Sequence, residues 1–265
     1  MFSFKLQGII MKTLDVAVTA VCAAVYAVVG YITSFGLTFG GVAFWPAAFI
    51  PAVFAILFGP WVGGTGAAIG IFIRDIAYTH DPFLSLTAGV TANFAAFFLM
   101  GYLSRGELNM KKLVAGLAIG GVTILAGLLL PTLLLPNEST SFTLFSTQVT
   151  FILFASLMAV SLALFAVIWK YWHEYRTFGM AALIGQGVGA TIVSIGVWAY
   201  SQLFFSPNGY FKSPIPATFV PFVFVWTFAT EIPFVLLLAP PIAKACYLAF
   251  PFLRTYQKTK AKGDN

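Results

Sequence analysis

Three ionisable side chains, Arg74, Asp75 and Glu231, fall well inside long apolar stretches of this chain. A charge at the centre of a lipid-spanning helix costs about 2.5–3.5 kcal/mol on insertion scales, so such residues are normally buried in protein and either paired or functional. At 1.5 Å per residue, Arg74 lies roughly 20 Å from the inner surface and Glu231 roughly 20 Å below the outer one, a difference in level of about 10 Å. Arg74 and Asp75 are adjacent and point about 100° apart on a helix, which makes them poor partners for each other. Asn93 and the pair His80-Asp81 fall near the level of Arg74, and Trp45, Trp198 and Trp226 offer flat apolar walls. Pro233, two residues after Glu231, would free a backbone carbonyl in its helix. Two readings follow. Either the charges form a buried ion pair that fixes helix register, or they border an outward-facing cavity that holds a polar solute.

The elements that must position these residues are set by composition. Of 265 residues, 60% are hydrophobic and only 8% are charged, with a mean hydropathy of +0.95. A soluble domain carries roughly 25% charged residues, so a soluble enzyme, a nucleic-acid-binding domain and a disordered chain are excluded. The expected fold is all-α, a polytopic helical membrane protein. Cys22 and Cys246 are read as packing residues, and no Cys/His cluster has metal-ligand spacing. Neither a phosphate-binding loop, a nucleophile elbow nor an HExxH motif occurs, and His80 and His173 lie near opposite surfaces, so neither catalysis nor a cofactor is expected.

Eight stretches are long enough, or nearly so, to cross about 30 Å of hydrocarbon: residues 13–34, 43–58, 61–78, 83–103, 113–135, 145–169, 178–205 and 218–243. The second and third are short and meet at Phe58-Gly59-Pro60, a turn signal, so they form either a tight hairpin or a pair of which one is tilted or re-entrant. With the N-terminus in the cytoplasm, the inner side receives Lys5, Lys12, Arg105, Lys111, Lys112, Lys170, Arg176, Lys244, Arg254, Lys258, Lys260 and Lys262, twelve of the fourteen cations. Cytoplasmic loops carry such an excess, and removing one span would reverse everything after it. Both termini are therefore placed in the cytoplasm. Residues 1–12 are a cytoplasmic segment, 13–250 a single transmembrane bundle and 251–265 a basic tail beside anionic headgroups. Thr13 begins an uncleaved first span, and Asn137-Glu138-Ser139 has the form of a glycosylation sequon.

Small residues recur at four-residue spacing, as in Ala20 and Ala24, Ala23 and Ala27, Gly66 and Gly70, or Gly185 and Gly189. Such pairs let backbones approach closely, within one bundle or against a partner. The alanine-rich run from Ala20 to Gly30 in the first span ends in Tyr26-Ala27-Val28-Val29-Gly30, and a loop Gly40-Gly41-Val42-Ala43-Phe44-Trp45-Pro46-Ala47 follows. Then come Ile50-Pro51-Ala52, Ile56-Leu57-Phe58-Gly59-Pro60 and a Gly/Ala-rich helix closing in Arg74-Asp75-Ile76. This order, over residues 13–104, resembles the substrate-binding S components of energy-coupling factor (ECF) transporters, which take up vitamins and related micronutrients. S components usually have six helices, two fewer than counted here.

The resemblance implies a micronutrient importer subunit in the cell membrane. It implies docking of a transmembrane T component on Ala20, Ala23, Ala24 and Ala27, and energy from two partner ATPases. It also implies a site for a small organic solute toward the outer side, and Arg74, Asp75, Asn93, His80, Trp45, Trp226 and Glu231 are the candidate solute ligands. Two other functions remain open, an accessory subunit of a larger membrane complex and a stand-alone secondary carrier.

Overall fold

The computed structural model describes residues 13–34, 37–134, 147–206 and 209–253. Lys5, Lys12, the Asn137 sequon and the tail cations Arg254, Lys258, Lys260 and Lys262 lie outside them. In lipid every backbone polar group needs an internal partner, which leaves the helix as the default for an apolar chain. Eight helices appear among the described residues: α1 Thr13–Thr33, α2 Phe49–Phe58, α3 Pro60–Thr79, α4 Pro82–Ser104, α5 Met110–Leu134, α6 Thr147–Tyr171, α7 Arg176–Leu203 and α8 Val220–Ala249. Six of them (α1 and α4 to α8) are long and apolar enough to cross a membrane, and α3 has the length but carries Arg74-Asp75. This is a helical, polytopic membrane protein.

Each expected span has its helix, with one correction. The stretch 43–58 is not a helix throughout. Its first residues close a hairpin of β1 Thr38–Phe39 and β2 Val42–Ala43, a 3₁₀ turn Pro46–Ala48 follows, and only the ten residues of α2 are α-helical. The cause is Gly40-Gly41, with φ of 56° and 81°. A two-residue turn with both φ values positive matches the right-handed twist of paired strands and so selects a hairpin. The hairpin survives inside the bundle because protein surrounds it. Phe39 is 1% exposed and stacks on Trp226 at 5.6 Å between ring centroids.

The bundle has two chemically different ends. At one, Arg105 donates to the carbonyl of Phe58 (3.2 Å), Tyr247 to that of Ile56 (3.3 Å) and Lys112 to that of Leu103 (2.9 Å). Arg176 there donates to the carbonyl of Trp169, and Lys244 lies 3.7 Å from Glu174. At the other, Tyr200 donates to Asp81 (2.6 Å), Tyr210 to the carbonyl of Gly41 and Trp226 to that of Val42 (both 2.9 Å). Cations cap the frayed carbonyls of the first end, the end that the positive-inside tendency assigns to the cytoplasm.

Small residues set how closely the helices pack. A Cβ on Gly185 of α7 would stand 2.5 Å from the backbone oxygen of Ala96 on α4, whereas one on Gly121 of α5 meets nothing within 4 Å. Gly185→Ala is therefore expected to lower the unfolding free energy by about 1–3 kcal/mol, the usual cost of overpacking. Gly121→Ala is expected to be neutral or to gain up to about 1 kcal/mol of helix propensity. Unfolding titrations in mixed detergent micelles check the contrast, and equal losses at the two positions would refute it.

Candidate functional site

A cavity of about 80 Å³ lies near the end of the bundle opposite the cations, lined among others by Val42, Trp45, Arg74, Asp75, Asn93 and Tyr210. Four elements build it. The hairpin and Trp45 form one wall, the last turns of α3 supply Arg74 and Asp75, the first half of α4 supplies Gly89 and Asn93, and α7 contributes Val193 and Val197. In α4, residues Ser85–Val90 run as a π-helical segment, a distortion often found at functional sites. This widening places Ser85 to donate to Asp75 at 2.8 Å. A larger groove of about 390 Å³ between α5, α7 and α8 is apolar except for Thr191. The Thr191 hydroxyl is spent on the carbonyl of Gly187, so that groove has nothing to hold a polar solute.

Arg74 is the dominant group of the cavity. Its residue is 5% exposed, and its Nη1 lies 3.1 Å from Oδ1 of Asp75. Adjacency does not prevent this pairing, contrary to the expectation from helical spacing, because the long arginine side chain spans the 100° between the two Cβ directions. The guanidinium carbon packs 4.6 Å from the ring centre of Trp45 and 4.3 Å from that of Tyr78. Nε and Nη2 are buried without a hydrogen-bond partner among the described residues. A buried, unpaired donor costs about 1–3 kcal/mol, more when charged, so these two nitrogens mark an acceptor position.

The remaining polar groups are fixed by one another. Trp45 donates to the Tyr26 hydroxyl (2.5 Å), Tyr26 to Oδ1 of Asn93 (2.6 Å), and Asn93 to the carbonyl of Gly89 (2.9 Å). Tyr210, in the segment between α7 and α8, closes the cavity against Gly41. Burial pushes its phenol up to about 12, so it stays protonated and remains a donor at neutral pH.

The structure gathers Arg74, Asp75, Asn93 and Trp45 at the cavity, while His80, Trp226 and Glu231 do not line it. His80, at φ 55°, ends α3 with Nδ1 2.9 Å from the carbonyl of Ile76 and faces outward. Asp81 caps α4 through the amides of Phe83 and Leu84. Trp226 acts one layer away by holding the hairpin at Val42. Among the described residues Glu231 neither reaches Arg74 nor forms an ion pair; it accepts a 2.6 Å bond from Gln186 of α7. Sequence reasoning missed Tyr26, Ser85, Gln186 and Tyr210, all neutral groups, and it also missed Asp15, which is buried at the start of α1.

The four alanines of α1 divide into two faces. Ala23 and Ala27 are buried, Ala23 against Gly70 of α3, while Ala20 and Ala24 are exposed. Only the latter pair is available to a partner. Among the described residues no three His, Cys, Asp or Glu side chains are grouped as metal ligands. Comparison with protein-family models, with curated proteins and with solved structures finds no match.

Proposed function

We propose that this chain is the solute-binding membrane subunit of a micronutrient importer of the ECF type, working in the cell membrane with a T component and two ATPases. The observation that carries the reading is the polar cavity beside an arginine whose Nε and Nη2 lack partners. A self-satisfied ion pair would need no such space. Its helical lining residues come from the parts of α3, α4 and α7 farthest from the cation-rich end, and the hairpin, Trp45 and Tyr210 complete it there, which suits a site loaded from outside. The exposed Ala20 and Ala24 give α1 a small-residue face for helix docking.

A second reading, an accessory subunit without a ligand, draws on the cavity's small size. Pockets for drug-sized ligands usually measure about 300–1,000 Å³. Purification from the native membrane in mild detergent separates the two. The importer reading expects a T component and two ATPases to co-purify, with loss of both on exchange of Ala20 and Ala24 for leucine. Isolation with other membrane subunits and no ATPase would favour the accessory role.

A further inference from the structure

The chemistry of the solute can be taken further, on the premise that the cavity binds one. We propose that it receives a carboxylate, seated edge-on against Nε and Nη2 of Arg74, so that the solute is a small organic acid. A guanidinium offers a planar fork of donors that matches the two oxygens of a carboxylate. Here the plane faces Trp45 and Tyr78, and Nη1 is committed to Asp75. What is left is the Nε–Nη2 edge, with two parallel N–H groups and no acceptor. The other cavity-lining polar side chains are already engaged. Asn93 uses both ends of its amide, Trp45 its indole N–H, and Tyr210 its hydroxyl.

Volume and charge narrow the class. About 80 Å³ is the space of two or three water molecules at roughly 30 Å³ each, enough for an acid head group on a short apolar stem. Asp75 already balances Arg74, so the site tolerates one added negative charge far better than two. A monocarboxylate fits that limit, and a phosphate dianion does not.

The test uses the whole protein in lipid nanodiscs, with propionate, propionamide and inorganic phosphate as probes at constant ionic strength. Tryptophan fluorescence and the unfolding temperature are followed. Propionate is expected to raise the unfolding temperature and to perturb the emission saturably, with propionamide and phosphate silent. Arg74→Gln should abolish the response, and Arg74→Lys should weaken it at least tenfold because an ammonium cannot present two parallel donors. Asp75→Asn should strengthen it about tenfold by removing the like charge. Should a variant fail to fold, line-broadening of carbon-labelled propionate with the unaltered protein still decides, and equal behaviour of acid and amide there overturns the proposal. Propionate binding by a protein that recruits no ATPase would sink the importer reading and leave this site standing. Recruitment of the ATPases with no acid selectivity would do the reverse.

Discussion

Asp75→Asn is expected to lower the unfolding free energy by about 3–5 kcal/mol, the largest single loss among exchanges at the cavity. The figure is that for removing one partner of a buried ion pair and leaving the other charge uncompensated. Arg74 is 5% exposed and two of its nitrogens already lack acceptors. Loss of the Asp75 charge would leave Nη1 facing a neutral amide in surroundings of low dielectric. Asparagine keeps the shape and still accepts from Ser85, so the loss reports charge and not volume. The companion exchange decides the cause. In Arg74→Met with Asp75→Asn both charges are gone, and a similar apolar volume stays between Trp45 and Tyr78. Replacing both members of a buried pair is often neutral, so the double variant should recover most of the loss. Steric trapping or detergent unfolding measures all three proteins. A double variant as unstable as Asp75→Asn would mean that the pair contributes through packing alone. Propionate should restore part of the stability of Asp75→Asn, since a bound carboxylate supplies the missing negative charge.

Much of the scaffold is legible in the sequence. In lipid the backbone has few options, so an apolar stretch of about 20 residues reads directly as a helix. The eight stretches matched helices to within a few residues, apart from the start of the second and the end of the last. That last helix continues through Pro240 and Pro241 to Ala249, beyond the expected limit of residue 243. Pro240 and Pro241 do not end the helix, because neighbouring groups can re-satisfy the carbonyls they free. The hairpin was hidden for the opposite reason. Gly40-Gly41 is a turn signal, but its strands are two residues each, too short for any alternation to register.

Arg74, Asp75, Asn93 and Trp45 were recognisable by type and depth. Their partners were not. Tyr26 and Asn93 are 67 residues apart, Gln186 and Glu231 are 45 apart, and Tyr210 and Gly41 are 169 apart. Neutral polar side chains in a span are common, so only the folded arrangement distinguishes Gln186 from a serine bonded to its own helix. The π-helical turn of α4 was equally invisible, since Ser85–Val90 reads as ordinary helix by composition.

The pair Gln186 and Glu231 yields the second large effect. Gln186 is 2% exposed and Glu231 8%, and the 2.6 Å bond between them joins α7 to α8 inside the bundle. Gln186→Leu deletes the donor and leaves the acid in an apolar layer. The expected cost is about 3 kcal/mol, the upper range for a buried polar group left without its partner and appropriate to one able to carry charge. Glu231→Gln keeps an acceptor oxygen at the same place and should cost under about 1 kcal/mol. Combining Gln186→Leu with Glu231→Leu removes both polar groups, and replacing both partners by apolar side chains of similar shape can be nearly neutral. The cycle should therefore return a coupling energy of about 0.5–3 kcal/mol, the range for residues in direct contact. Strict additivity of the two leucine exchanges would show that the bond holds nothing together. Because Glu231 does not line the cavity, Glu231→Gln should leave the propionate response unchanged, which sets this interhelical lock apart from the binding chemistry at Arg74.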